Sequence, residues 1–380
     1  MIYQKFIMIT IFADKYLYNI DKFLPEECDL NLYNPADGLP ENLEGTDALL
    51  IRTVTLIDEP LVNNLPDSLQ FIATGSAGTD HVNTRLLDKK DIAFADAGGC
   101  NSRAVAEYVA TSILLWSDLS ERNLNTLSAG IIGKGHVGTE VSKLLENLGI
   151  NTICYDPPKE EREESFKSAS LEDALSADIL TLHVPLKQNG DYPTYHWLDE
   201  KKLEGKNYEL VINTARGGVI DEQMLLKAHI KGSVKSFIID VWENEPIFND
   251  LIANNAFIKT PHIAGYSKQS KLRASKYIGD ALCKHFSLET PEYEFEESSE
   301  AFNISNSSLK SARLSEVLCQ IHPVKDYENE LSRLIGLPPE EKGRRFNKLR
   351  SEFPLRNEFQ FINMPEFLAE AHPVLKKLGS

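Results

Sequence analysis

The sequence predicts an α/β protein whose main part is a doubly wound parallel sheet. Two observations predict this class. Short β-rich runs alternate with helical stretches along most of the chain, which is typical of parallel sheets covered by helices. A glycine-rich turn at 133–138 separates one such run from a helical pattern. Because 380 residues exceed the size of one ordinary domain, we expect two or three folding units.

A first series of β-rich runs precedes a long apolar helix. We place strands at 7–12, 48–51, 71–74 and 92–95, each flanked by polar residues, proline or glycine. Residues 104–116 are then apolar over a stretch long enough for a helix that is buried on much of its surface. We interpret this helix as the link between two domains.

A second series of β-rich runs follows the long helix. Six strands with helical segments between them match a doubly wound nucleotide-binding sheet. The predicted strands are 129–132, 152–155, 179–183, 210–213, 236–240 and 257–260.

The sequence changes character after about residue 286. An acidic stretch at 292–297 and a polar stretch at 303–308 predict a linker. The remaining segment, from about 309 to 380, contains two helical patterns and short apolar runs such as 359–362, but no chemical motif. We interpret it as a packing or dimerisation module.

The composition disfavours several classes of protein. The chain has 40 basic and 57 acidic residues, and its net charge of −17 argues against general binding to nucleic acid or anionic membranes. No run approaches the roughly 20 apolar residues of a membrane span, and the start of the chain lacks a secretion signal. Five widely spaced cysteines and nine dispersed histidines indicate a reduced, cytoplasmic protein without a metal site.

The turn at 133–138 fits the dinucleotide-binding pattern G-x-G-x-x-G. Gly133 makes the tight turn, Gly135 lets the backbone approach a pyrophosphate, and Gly138 allows the helix to pack closely on the strand. Asp156 ends the next predicted strand, where a carboxylate accepts hydrogen bonds from a ribose and repels a 2′-phosphate. The sequence therefore predicts NAD, rather than NADP, as the cofactor. A strand-turn-helix with glycines for tight packing is the alternative.

Three polar residues follow the ends of later predicted strands, at the edge where such sheets bind ligands. Removing a hydride from a hydroxyl-bearing carbon requires a base for the hydroxyl proton, and histidine suits this role, which makes His262 the candidate. A carboxylate such as Glu245 stabilises a protonated imidazole, and a guanidinium such as Arg216 can bind a substrate carboxylate bidentately. Each alone could be a capping, packing or surface residue, but together they supply what one reaction requires.

Several phrases between about residues 47 and 284 resemble the D-2-hydroxyacid dehydrogenase family. They are Arg52-Thr-Val-Thr, Gly75-Ser-Ala-Gly-Thr-Asp-His-Val, Gly98-Gly-Cys-Asn, Tyr155-Asp-Pro-Pro, His183-Val-Pro-Leu and His262-Ile-Ala-Gly-Tyr. Gly98-Gly99 stands where that family suggests Pro-Gly, and Thr214-Ala215 where Ala-Cys is common, but neither change removes a group that the chemistry needs. The resemblance implies that Arg216, Glu245 and His262 are catalytic.

The resemblance also implies a domain organisation. A Rossmann-type NAD-binding domain at 102–267 is expected to be inserted in a flavodoxin-like substrate domain, formed by 1–101 and 268–287. Residues 288–380 are expected to form a small α+β dimerisation domain, so that the protein is a homodimer.

Further contacts follow from the same resemblance. Without this resemblance, we would interpret Thr53 and Thr74 as strand-end hydroxyls and Tyr266 as a packing residue. The implied substrate-binding positions are Thr53, Thr74 and Tyr266, and the implied NAD-binding positions are His136, Val137, Asp156, Val184, Thr214, Ala215, Asp240 and Gly265.

Within the family, the phrase at 77–82 and the C-terminal phrases at 346–350 and 356–359 resemble the branch that acts on a phosphorylated sugar acid. This resemblance implies oxidation of 4-phospho-D-erythronate to its 2-oxo acid in pyridoxal 5′-phosphate biosynthesis. Two alternative functions stay open. One is that of another D-2-hydroxyacid dehydrogenase, such as a 3-phosphoglycerate dehydrogenase, and the other is that of an NAD(H)-sensing interaction protein on the same fold.

A phosphorylated substrate requires a cationic pocket in this acidic protein. The candidates are basic residues near the predicted substrate positions and in the last segment, where a solvated helix face is the alternative interpretation. They are Arg52, Lys342, Arg344, Arg345, Lys348 and Arg350.

Overall fold

The computed structural model describes residues 8–295 and 312–379. The chain divides into two compact units, of which one comprises Met1–Asn101 with Lys268–Glu296 and the other Ser102–Ser267 with Glu297–Ser380. The polar stretch 303–308 of the predicted linker lies outside the described residues. Within the described part of the chain, no helix is long and apolar enough to cross a membrane.

The first unit contains a five-stranded parallel sheet in the order β2-β1-β3-β4-β5, which is the flavodoxin-like order. The apolar runs of β3 and β4 are buried at every position, as expected for strands covered on both faces. The strands are β1 Ile9–Asp14, β2 Cys28–Tyr33, β3 Ala48–Ile51, β4 Phe71–Thr74 and β5 Ala93–Asp96; the helices are α1 Glu59–Asn63, α2 Thr84–Lys89 and α10 Lys268–Phe286, with 3-10 turns at Ile20–Phe23 and Pro35–Asp37.

Strand β2 was not predicted from the sequence. It pairs only with β1 at the edge of the sheet, and Asp29 and Asn31 interrupt its apolar residues. Leu32 is 58% exposed, so the strand lacks the continuous apolar run of its neighbours. The alternation of polar and apolar residues was the available signal.

The second unit contains a six-stranded parallel sheet in the order β11-β10-β9-β8-β6-β7, and all six strands predicted from the second series are present. The chain runs outward from β6 to β7 and then returns to β8 on the other side of β6. The carboxyl ends of β6 and β8 therefore flank a topological switch point, where doubly wound sheets bind ligands. The strands are β6 Ser128–Ile132, β7 Asn151–Tyr155, β8 Ile179–Leu182, β9 Tyr208–Asn213, β10 Val234–Ile239 and β11 Ile258–Lys259.

Helix α3, which the sequence predicted at 104–116, extends over Ser102–Leu119 and is buried from Arg103 to Ser117. Its apolar side chains share one core with α4 and with strands of the six-stranded sheet. The helices before the C-terminal segment are α3 Ser102–Leu119, α4 His136–Asn147, α5 Pro157–Arg162, α6 Leu171–Leu175, α7 Glu200–Leu203, α8 Glu222–Ile230 and α9 Asp250–Asn255, with a 3-10 turn at Leu124–Thr126.

The C-terminal segment differs from the predicted α+β arrangement, because residues 312–379 contain helices and no strand. The apolar run at 359–362 forms the 3-10 turn Phe359–Phe361, since no second strand in this segment offers its backbone a partner. Phe359 and Leu318 are instead buried in the same core as α3. The helices are α11 Leu314–Ile321, α12 Val324–Ser332, α13 Pro339–Ser351, α14 Glu366–Ala371 and α15 Val374–Leu378.

A buried ion cluster fastens this segment to α3. The Glu107 carboxylate is fully buried and accepts hydrogen bonds from Arg356 Nη1 at 2.6 Å and from Arg103 Nε at 3.0 Å. The Phe359 backbone N–H also donates to Glu107, at 3.0 Å, and Arg356 Nη2 donates to the Ala104 carbonyl at 3.1 Å. Glu107 therefore has partners from both the helix and the segment.

Replacing Glu107 with alanine should lower the free energy of unfolding by about 3–5 kcal/mol, because Arg356 would remain buried without its carboxylate. Urea unfolding followed by circular dichroism measures the change. Glu330→Ala is the control, since it removes an ion pair whose Arg333 side chain is 70% exposed, and it should cost about 1 kcal/mol or less. Equal losses in the two variants would contradict the structural role of Glu107.

Candidate active site

The glycine turn has the geometry that each glycine was predicted to need. Gly133 follows β6 with a φ of 92°, and a β-carbon there would lie 2.7 Å from the His183 carbonyl oxygen. A β-carbon on Gly138 would overlap the Gly133 carbonyl oxygen, whereas one on Gly135 would meet nothing within 4 Å. The first and third glycines therefore serve packing, and the second leaves open space at the start of α4.

Two buried polar atoms at the switch point lack hydrogen-bond partners within the described residues: His183 Nδ1, after β8, and Thr214 Oγ1, after β9. Burial lowers the pKa of His183 to about 3, so its imidazole is neutral. Such atoms are expected where a polar ligand completes the hydrogen bonding. With the open space at Gly135, they fit a bound dinucleotide.

Asp156 anchors the glycine turn from the end of β7. Its carboxylate accepts the Lys134 backbone N–H at 2.7 Å and caps α5 through the Lys159 N–H at 3.0 Å. Lys159 Nζ in turn donates to the Lys134 carbonyl at 3.0 Å. One carboxylate oxygen thus holds the turn and the other caps α5, and the predicted contact of Asp156 with a ribose stays a prediction.

The predicted cofactor positions lie along the carboxyl edge of the six-stranded sheet. His136 and Val137 begin α4, Val184 follows β8, and Thr214 and Ala215 follow β9. Asp240 directly follows β10, and Gly265 lies in the loop after β11.

His262 and Glu245 form a hydrogen-bonded pair, with 2.8 Å between His262 Nδ1 and Glu245 Oε2. The other oxygen, Oε1, accepts the Trp242 backbone N–H at 2.8 Å. Burial alone would favour the neutral acid, but His262 and the Trp242 N–H outweigh it, and the pKa of Glu245 is lowered. Since an ionised carboxylate can only accept, His262 donates this hydrogen bond through Nδ1, which leaves Nε2 as the ring nitrogen that can exchange a proton with a substrate.

A buried carboxyl, Asp240, holds the loop that carries His262. It accepts hydrogen bonds from Thr260 Oγ1 at 2.7 Å and from the backbone N–H groups of Ile263 and Ala264 at 2.8 and 3.0 Å. The His262 N–H donates to the Asp240 carbonyl at 2.7 Å. Asp240 therefore positions the loop that carries His262, a role that its position in the sequence did not indicate.

Two supporting residues of this loop were also missed. The Tyr108 hydroxyl of α3 lies 2.7 Å from Thr260 Oγ1 and donates to it, since the threonine proton is given to Asp240. The Trp242 indole N–H donates to the Thr260 carbonyl at 2.9 Å. A tyrosine some 150 residues away along the chain leaves no local signal of such a contact.

Arg216 lies on a loop that packs against the loop of Glu245. Asn213 shapes it, since its side chain donates to the Arg216 carbonyl at 3.0 Å and accepts the Ala215 N–H at 3.1 Å. A β-carbon on Gly217 would overlap the Trp242 carbonyl oxygen, so glycine is required for this close approach. The structure thus brings the Arg216 loop to the Glu245–His262 pair.

The predicted substrate positions fall in both units. Thr53 is exposed after β3, and Thr74 is buried at the end of β4, with its hydroxyl 2.9 Å from His81 Nε2. Both threonines belong to the first unit. Tyr266 belongs to the second unit, where its ring meets Phe353 edge-on at 5.5 Å between centroids.

Glu222 is a second buried carboxyl group that contacts the loop of Glu245. It was not singled out in the sequence. It is 5% exposed and accepts the Glu243 backbone N–H at 2.8 Å. His196 Nε2 lies 2.8 Å from the Glu243 side chain. Burial, together with the neighbouring acids Glu243, Glu245 and Asp221, raises the pKa of Glu222 to about 7.

Comparison with known proteins identifies the family of the chain. Residues 104–264 match the family model described as D-isomer specific 2-hydroxyacid dehydrogenase, NAD binding domain. The chain is 36% identical over 368 residues to the erythronate-4-phosphate dehydrogenase of Bacteroides thetaiotaomicron, covering 94% of this chain and 99% of that one. It is 35% identical over 347 residues to the Escherichia coli protein of the same name, covering 89% of each.

The chain belongs to the erythronate-4-phosphate dehydrogenase family. Like that family, it is an NAD-dependent D-2-hydroxyacid dehydrogenase, as its sequence predicted. A D-lactate dehydrogenase of Aquifex aeolicus, solved with NAD and lactic acid, has a TM-score of 0.58 at 24% identity, over 73% of this chain and 95% of that one. An NAD-complexed D-isomer specific 2-hydroxyacid dehydrogenase of Lactobacillus delbrueckii has a TM-score of 0.60 at 22% identity, over 74% and 98%. These solved structures confirm the fold.

The glycine turn yields a prediction from two matched substitutions. Gly135→Ala places a methyl group in open space, so the melting temperature should stay unchanged while the NADH dissociation constant rises about tenfold, or ~1.4 kcal/mol. Gly138→Ala should lower the melting temperature, because its methyl group displaces the Gly133 peptide. Thermal unfolding and fluorescence titration with NADH measure the two effects. Similar behaviour of the variants would contradict the separate roles.

The raised pKa of Glu222 predicts a pH-dependent stability. The folded protein holds this proton up to about pH 7, whereas the unfolded chain releases it near 4.5, so the group destabilises the fold increasingly between these values. Glu222→Gln removes this destabilisation, which lowers the free energy of unfolding by about 3 kcal/mol at pH 8. The melting temperature of the variant relative to the native protein should therefore rise between pH 5 and pH 8. A constant difference would contradict the assignment.

Proposed function

We propose that the protein oxidises 4-phospho-D-erythronate to 3-hydroxy-2-oxo-4-phosphobutanoate with NAD, as a step of pyridoxal 5′-phosphate biosynthesis. The observation that carries the proposal is the Glu245–His262 pair, which lies at the same sheet edge as the Gly133–Gly138 turn. The substrate is supported by the names of the curated relatives, which span nearly the whole chain.

In the proposed reaction, the Arg216 guanidinium binds the C1 carboxylate and orients C2. His262 Nε2 accepts the proton of the C2 hydroxyl as the C2–H electron pair leaves. The Glu245 carboxylate, held by the Trp242 N–H, stabilises the imidazolium that results. Bound NAD supplies the acceptor for the hydride.

The remaining residues of the site have proposed roles in binding. Thr53, Thr74 and Tyr266 contact the substrate. The glycine turn and the residues along the carboxyl edge of the sheet contact NAD; these are His136, Val137, Asp156, Val184, Thr214, Ala215, Asp240 and Gly265.

We also propose that the protein is a cytoplasmic homodimer that associates through its C-terminal segment. We assign the substrate domain to 1–101 with 268–287, the NAD-binding domain to 102–267 and the dimerisation segment to 288–380. Light scattering on the full chain should give twice the mass of one chain, 42.7 kDa.

His262→Gln should lower kcat by at least about 100-fold, because glutamine cannot accept the hydroxyl proton. The NADH dissociation constant should stay within about twofold, because the glycine turn is untouched. Stopped-flow oxidation assays and fluorescence titration measure the two quantities. Undiminished turnover would overturn the assignment of the base, and it would leave the dehydrogenase activity itself standing.

A substrate panel tests the proposed specificity. At saturating NAD, kcat/KM should be highest for 4-phospho-D-erythronate, compared with 3-phosphoglycerate and with unphosphorylated 2-hydroxy acids. A preference for 3-phosphoglycerate would favour the alternative dehydrogenase. Tight NADH binding without turnover of any of these acids would favour an NAD(H)-sensing interaction protein.

A further inference from the structure

The six basic side chains considered for a substrate phosphate differ in whether an acid already neutralises them. Arg52 Nε lies 2.8 Å from Asp14, and Lys342 Nζ lies 2.5 Å from Asp250. Arg345 and Lys348 pair with the acids four residues away on α13, at 2.6 and 3.8 Å. Arg344 is exposed to solvent.

Arg350, in the last turn of α13, differs from these five. Its side chain is half-buried, and its Nε is buried without a hydrogen-bond partner among the described residues. A guanidinium is the side chain that most readily forms paired hydrogen bonds with a phosphate. Leaving such a group partly desolvated, with its Nε–H not hydrogen-bonded to an acid, is costly, and an anionic ligand would complete its hydrogen bonding.

The packing of α13 against the loop after Glu245 turns Arg350 towards the Glu245–His262 pair. Gly343 faces the loop after Glu245, where its β-carbon would lie 3.3 Å from Pro246. One turn later, the Phe346 ring packs against Phe248 at 6.1 Å between centroids. Arg350 follows on the same face of the helix, and its positive charge helps to lower the pKa of the Glu245 carboxyl.

The same end of α13 also reaches a proposed substrate contact. Phe353, three residues after Arg350, meets the Tyr266 ring edge-on at 5.5 Å between centroids. The C-terminal segment therefore borders the site on two sides, at Glu245 and at Tyr266. An anion bound there would lie near the reacting end of a short substrate.

We propose that Arg350 binds the phosphate group of the substrate, so that the C-terminal segment supplies the residue that selects a phosphorylated acid. The inference rests on the proposed function, since it requires a substrate with a phosphate. Arg350 is thus a specificity residue, whereas Arg216 binds the carboxylate common to all 2-hydroxy acids.

The test compares Arg350→Ala and Arg350→Lys with the control Arg333→Ala, which removes an exposed arginine of the same segment. Each variant is assayed with 4-phospho-D-erythronate and with D-erythronate at saturating NAD. Arg350→Ala should lower kcat/KM for the phosphorylated acid by about 100-fold or more. The loss for D-erythronate should be at least about tenfold smaller, because only the effect of Arg350 on Glu245 applies to that acid. Arg350→Lys should recover part of the loss, because it restores the charge without the paired donors.

Inorganic phosphate provides a readout that does not depend on turnover. Calorimetric titration of the NAD-bound protein should show phosphate binding to the native chain and to Arg333→Ala, and binding at least about tenfold weaker to Arg350→Ala. If the native chain fails to oxidise 4-phospho-D-erythronate, the proposed function is wrong, and this titration still decides whether Arg350 binds phosphate.

Two results would overturn the inference. Equal losses for both acids, with a shifted pH profile of kcat for D-erythronate, would mean that Arg350 acts through Glu245 alone. Unchanged phosphate binding in Arg350→Ala would mean that the phosphate is held elsewhere.

Discussion

The geometry of the candidate active site depends on one buried carboxyl, that of Asp240. His262 has a φ of 58°, a left-handed conformation that costs a residue with a side chain roughly 1–3 kcal/mol. Asp240 offsets this cost by accepting hydrogen bonds from Thr260, Ile263 and Ala264 on either side of the histidine. The same loop holds the imidazole of His262 against Glu245. The orientation of this imidazole is therefore set by the hydrogen bonds that Asp240 accepts from the loop.

Glu222 and Glu245 show how two buried carboxyl groups near one another acquire opposite properties. Both are desolvated, which favours the neutral acid. Glu245 has the His262 imidazole and the Trp242 N–H beside it, and its pKa is lowered. Glu222 has one backbone N–H and several acidic neighbours, and its pKa is raised to about 7. The partner that stabilises charge is therefore placed beside His262, where the proposed reaction would create an imidazolium.

The C-terminal segment is built into the NAD-binding unit through contacts with α3 and with the Glu245 loop. Glu107 binds Arg356 and the Phe359 backbone, and Phe346 packs on Phe248. Packing at both places holds α13 against the loop that carries Glu245. A segment without a chemical motif of its own thereby borders the candidate active site.

The sequence by itself determined the parts that depend on local patterns. The six strands of the larger sheet and the turn from Gly133 to Gly138 could be predicted. The placement of Arg216, Glu245 and His262 at one edge of the sheet could be predicted too, because parallel strands direct their carboxyl ends to one edge. Strand β2 and the helical C-terminal segment could not be, since an interrupted edge strand and a single apolar run carry weak periodicity. Only the tertiary structure decided that Asp240, Thr260 and Tyr108 hold the histidine loop and that α13 packs on the loop after Glu245. Such contacts join residues far apart in the chain, and the packing of whole elements creates them.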